Sequence, residues 1–111
     1  MSANSERGGR PEFGPCDGCG LMVEFREVID QQHDVALQPG EFPSQRLPQR
    51  ARWHLASGIA WPGENETAWC RLDHDLICPA AEEPEERVLR NLQSRLAVRA
   101  RLAWDRRSDG R

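Results

Sequence analysis

The chain has 111 residues, 38% of them hydrophobic and 30% charged, with a formal net charge of −3. This leaves room for one domain with a thin core, of a size that often needs a metal or cross-links to offset the entropy of ordering. The first dozen residues are polar and no apolar run approaches the roughly twenty residues of a membrane span, so neither leader nor membrane helix is expected and the chain is placed in the reducing cytoplasm. There, four cysteines are better metal ligands than disulfide partners. All fifteen basic residues are arginine, which we attribute to GC-rich coding rather than to phosphate binding.

In chain order, residues 1–12 read as a disordered tail. Cys16-Asp17-Gly18-Cys19-Gly20 then places two thiols two residues apart in a glycine-closed turn, so that both sulfurs address one ion. Leu21, Val23 and Phe25 alternate as a half-buried strand, a polar turn follows at residues 30–34, and Val35-Ala36-Leu37 reads as its return partner. Pro39, Gly40, Pro43 and Pro48 make residues 38–49 an extended surface loop or edge. Residues 52–61 form a second hairpin about Ser57-Gly58, with Trp53 and Leu55 on one face and His54 on the other.

A polar loop leads to Cys70-Arg71-Leu72-Asp73-His74-Asp75-Leu76-Ile77-Cys78-Pro79, which offers three more ligands. His74-x₃-Cys78 has zinc-like spacing and Cys70-x₇-Cys78 is wide, so the expected ligands are Cys16, Cys19, His74 and Cys78, with Cys70 as the substitute for His74. Were residues 70–78 helical, Cys70 and His74 would lie one turn apart on one face. Five ligands for four positions favour a closed, structural Zn2+ rather than a catalytic ion with an open site.

From Pro84 to about Arg107 the pattern is helical. Pro84 suits a first turn, acids crowd the amino end and arginines the carboxyl end. Val88, Leu89, Leu92, Leu96, Ala100 and Ala103 define an apolar stripe. The expected architecture is α+β: a tail (1–12), a small zinc-ribbon-like β-hairpin domain (13–80) and one long amphipathic helix (81–108). The tryptophans at 53, 61, 69 and 104 are core candidates, Trp104 at the stripe's edge.

Charge is uneven. Residues 1–86 carry seven arginines against sixteen acids, a net −9, whereas residues 87–111 carry eight against two, a net +6. Enzymatic chemistry finds no support: the C-x-x-C lacks the strand-then-helix setting of a redox motif, no upstream H-x-E completes a deaminase signature, and no glycine-rich phosphate loop is present. The expected role is a non-catalytic zinc-binding protein-interaction module, regulatory at the transcription machinery, with an unnamed protein partner and no small-molecule substrate. One alternative is nucleic-acid binding through Arg87, Arg90, Arg101, Arg106 and Arg107, the first three opposite the apolar stripe. A second is a thiol-based redox sensor in which surplus Cys70 pairs with a ligand on oxidation.

With both clusters in view, the chain resembles a family of small actinobacterial proteins carried as a domain of unknown function. The likeness rests on C-x-x-C-G at Cys16–Gly20, the proline-bearing stretch Pro39–Pro48, Arg52-Trp53, and Cys70-Arg71 through His74 to Cys78-Pro79. It covers about residues 14–80 and excludes the helix. It implies a zinc-ribbon-like module and carries no biochemical activity with it.

Overall fold

The computed structural model describes residues 12–30, 32–63 and 67–109, with side chains through Arg106. Six strands form one sheet: β1 (Glu12–Pro15), β2 (Met22–Glu27), β3 (Asp34–Pro43), β4 (Arg52–Ala56), β5 (Ile59–Pro62) and β6 (Trp69–Asp73). The spatial order is β1-β2-β3-β6-β4-β5 and every strand pair is antiparallel. One helix, α1 (Arg87–Asp109), follows. The α+β expectation is met. The expected tail lies outside the described residues, apart from Glu12, which opens β1.

Both expected hairpins form. Ser57 (φ 54°) and Gly58 (φ 79°) turn β4 into β5, the paired left-handed conformation that matches strand twist. The sheet also curls back on itself: Val28 bridges Ala60, and the Ile29 N–H donates to the Ala60 carbonyl at 2.9 Å. The inner face of the curl holds Val28, Val35, Leu37 and Ala60, with Trp53 and Leu55 packed against them.

Glu24 lies on the same inner face, since it stands opposite Leu37. Only 5% exposed, it accepts from Arg26 Nε at 2.7 Å and from an Arg71 terminal nitrogen at 2.6 Å. Burial works against the carboxylate, but these two arginines outweigh it and hold the Glu24 pKa below its ordinary value.

Two elements differ from the sequence expectation. The proline stretch is not a loop from residue 38, because β3 runs on to Pro43 and pairs with β6. Pro39 lacks an N–H, yet it falls in a bulge between Gln38 and Phe42 where the register shifts. Gly40 takes the left-handed conformation there (φ 102°), and Arg71 Nε, from the facing strand, donates to its carbonyl at 2.8 Å. Residues 69–73, in turn, are neither loop nor helix but the strand β6, set between β3 and β4.

The outer face carries the second core. Cys70 and Leu72 of β6 meet Leu47, Ala51, Ile77, Leu89 and Leu96, with Leu21, Phe42, Leu76, Val88 and Leu92 around them. The amino-terminal half of α1 thus covers the sheet with its apolar stripe. The helix starts at Arg87 rather than Pro84, with no acid in its first turn. Arg90 explains the delay, because its guanidinium turns back onto the carbonyls of Pro84 and Glu85 and holds that segment as a non-helical approach. Glu86 is paired to Arg50 at 2.6 Å. Beyond Leu96 the helix leaves the sheet: Val98 is 60% and Leu102 52% exposed. Of the four tryptophans only Trp53 joins a core, while Trp61, Trp69 and Trp104 are exposed. Aliphatic side chains already fill both cores, and β5 and the start of β6 present Trp61 and Trp69 at the periphery.

Candidate metal centre

The turn from β1 to β2 is built to aim two sulfurs. The Cys16 N–H donates to the Leu21 carbonyl and the Gly20 N–H to the Cys16 carbonyl, both at 2.8 Å, with Gly20 left-handed at φ 79°. Gly18 sits under the second ligand segment. A Cβ there would lie 3.0 Å from Ala80 Cβ and 3.4 Å from Cys78 Sγ, so only glycine lets the two segments close at this distance.

The second segment leaves the end of β6. Asp73 Oδ1 accepts from the Asp75 N–H at 3.0 Å, capping a single 3-10 turn over His74–Leu76. Trp53 Nε1 donates to the other oxygen of Asp73 at 3.2 Å. This turn places His74, wholly buried, with its ring toward the knuckle. Gln93 of α1 donates to the Cys78 carbonyl at 2.9 Å, fastening the chain just past the turn to the helix.

The ligand atoms of Cys16, Cys19, His74 and Cys78 all lie within 4.8 Å of one another. Cys16 Sγ is 3.7 Å from Cys78 Sγ, and Cys19 Sγ is 3.5 Å from His74 Nε2. On the far side of the ring, His74 Nδ1 is 2.9 Å from Gln38 Oε1. An amide oxygen can only accept, so Nδ1 carries the proton and Nε2 presents its lone pair to the sulfurs. Burial lowers the His74 pKa, which keeps the ring neutral and able to ligate.

The thiols titrate as a crowded group. Burial and then the charges of Cys16 and Cys78 push Cys19 up to about 12, and burial followed by Cys16 raises Cys78. At Cys16 burial is outweighed by the N–H groups of Cys19 and Gly18, and its pKa falls. Three sulfurs so placed resist ionising together unless a cation lies between them; a bound divalent ion inverts that balance and deprotonates them.

Cys70 is not in this cluster. Only 2% exposed, it packs among Leu47, Ala51 and Leu72. Because β6 is extended, four residues separate Cys70 from His74 by about 13 Å rather than by one helical turn, so the substitute ligand and the redox partner expected of Cys70 are not found there. Gln38 and Gln93 were not singled out from the sequence. Nothing in local spacing marks them, since both act across elements distant in the chain. Of the arginines weighed for nucleic acid, Arg90 is committed to the approach to α1, Arg87, Arg101 and Arg106 are exposed, and the Arg107 side chain lies outside those described.

Fold and cluster together define a small α+β protein with a Cys₃His group of metal-ligating geometry. Residues 2–105 match a family described as a family of unknown function, DUF6083, and the chain belongs to it. The match runs through α1 and so extends well beyond the residues 14–80 on which the sequence resemblance rested. No curated protein and no solved structure matches the chain. Among the described residues, no helix is long and apolar enough to cross a membrane.

Proposed function

We propose that the protein is a non-catalytic interaction module whose fold is stapled by a structural Zn2+ held by Cys16, Cys19, His74 and Cys78. The observation that carries this reading is the shape of the cluster. A tetrahedron with Zn–S of about 2.3 Å and Zn–N of about 2.05 Å has S···S edges of about 3.8 Å and S···N edges of about 3.6 Å. The observed 3.7 Å and 3.5 Å agree with both. Four protein ligands fill a tetrahedral shell and leave no place for the water or substrate of a catalytic zinc. Softness points the same way, because thiolate and imidazole suit zinc, whereas calcium and magnesium take oxygen.

The ion joins the β1–β2 turn to the segment after β6, the two ends of a strand set with β3 between them. With a core this thin, that link contributes folding free energy directly. The interaction role rests on what the core leaves uncovered: the distal half of α1 with Val98 and Leu102, and the ring of Trp69. A native pull-down with zinc-loaded protein is expected to recover a stoichiometric protein partner, and a partner from the transcription machinery would make the module regulatory. Recovery of none, together with retained zinc, would leave a metal-stapled fold without the interaction role.

A further inference from the structure

We infer that the protein pairs with a second copy of itself, the distal half of α1 from one copy seating in the acidic cleft beside the metal centre of the other. This rests on the reading of the chain as an interaction module and names its partner surface.

The argument starts from where the charges are spent. Of the arginines among residues 12–86, Arg26 and Arg71 are bound to Glu24, Arg50 to Glu86, and Arg52 to the Leu47 carbonyl. The sheet therefore consumes most of its positive charge internally and presents its acids outward. On the helix the reverse holds. Among the described residues, no ion pair joins Arg95, Arg99, Arg101 or Arg106 to an acid of the sheet. The −9 and +6 segments of this chain are thus not neutralised against each other within one molecule.

Each copy carries both halves of a complementary contact. The cleft has a volume of about 550 Å³ and is lined by Asp17, Asp34 and Asp75 over an apolar floor of Phe25, Ala36 and Ala80. The distal helix offers the matching pattern. Val98 and Leu102 lie one turn apart on the face opposite the apolar stripe, with Arg95, Arg99 and Arg106 along one side of them and Arg101 along the other. Apolar side chains fit an apolar floor and arginines fit its carboxylates. A nucleic-acid backbone would satisfy the arginines but leave Val98 and Leu102 against phosphate, and the acidic sheet would repel it. Because donor and acceptor surfaces are on the same chain, two reciprocal contacts close a two-fold dimer.

The test uses full-length, zinc-loaded protein in sedimentation velocity over a dilution series at ~0.05 M and ~1 M salt, where screening lengths differ several-fold. Two charge-reversed proteins accompany it: Arg99→Glu with Arg101→Glu, and Asp17→Arg with Asp34→Arg, each checked for retained zinc and helix content. The expected result is a mass of two 12.6 kDa chains at low salt falling to one at high salt. Each reversed protein should be a single chain alone, and an equimolar mixture should recover the dimer, because both contacts in the mixed pair are again complementary. Leu102→Asp should dissociate the wild-type pair. A monomeric wild type at low salt, a dimer that survives both reversals, or a mixture that stays monomeric overturns the inference. A monomer that instead binds duplex oligonucleotide with affinity falling as salt rises also overturns it, and reassigns the arginines to phosphate. In every overturning case zinc occupancy and partner capture are measured separately, so the module reading stands or falls on its own test.

Discussion

Replacing Gln38 by alanine removes nothing that would touch the metal, and the structure fixes what it should cost. Gln38 is 7% exposed and its Oε1 sits 2.9 Å from His74 Nδ1. The bond is neutral and buried, so its net worth is about 1 kcal/mol, and leaving Nδ1–H buried without an acceptor adds a penalty of about 1–3 kcal/mol. Part of that is relieved by water entering the space. The remainder falls on the folded, metal-loaded state, where the ring must hold one tautomer and one orientation. A loss of about tenfold to a hundredfold in zinc affinity follows, the range seen when such outer contacts are removed. Competition with a chromophoric chelator reads this directly. Gln38→Glu keeps an acceptor at the same position and should retain most of the affinity. If Gln38→Ala binds zinc as tightly as wild type, or if both variants lose equally, the bond does not orient the ligand and the reasoning is wrong.

Three further predictions test other parts of the account. Cys70→Ala should leave zinc stoichiometry unchanged while costing the modest stability of a small core side chain, whereas His74→Ala should lose the ion; metal analysis of the purified variants compares them. Glu24→Gln strands two arginines beside a neutral amide and should cost about 3 kcal/mol near neutral pH in denaturant titration. Because the folded Glu24 pKa lies below its ordinary value, the carboxylate's contribution is present above about pH 4.3 and is lost as pH falls through the lower folded value. The gap between the two proteins should therefore close in acid, proton competition for the metal ligands being common to both. Gly63→Ala should destabilise the β4–β5 hairpin beyond a surface change, since its Cβ would collide with the backbone carbonyl and Cβ of Arg52; thermal unfolding that matches wild type would show that the strand yields there at little cost.

Local chemistry was legible in the sequence, and cross-chain placement was not. The Cys16–Cys19 knuckle, the Ser57-Gly58 hairpin and the stripe of α1 are each written within a few residues, and each appears in the structure. His74 was separable from Cys70 by spacing alone, because a three-residue gap to Cys78 closes in one 3-10 turn. The strand β6 went unread although Trp69-Cys70-Arg71-Leu72-Asp73 alternates cleanly. Its cysteine drew attention as a ligand, when burial in the outer core is what that position requires. β3 was cut short at Pro39 because proline cannot donate to a ladder, and only Arg71, distant in sequence, shows how the bulge is held. Glu24 looked like the solvent side of a half-buried strand, but the curl that brings β5 beside Val28 covers that side as well.

The central claim is that one divalent ion joins the β1–β2 turn to the segment after β6 and that the fold depends on it. Native mass spectrometry with elemental analysis, followed by chelation under circular dichroism, tests this most directly. The account predicts one zinc per chain and cooperative loss of structure as the chelator removes it. A chain that purifies without metal, keeps its structure in chelator and has Cys16, Cys19 and Cys78 freely reactive with a thiol reagent would contradict it.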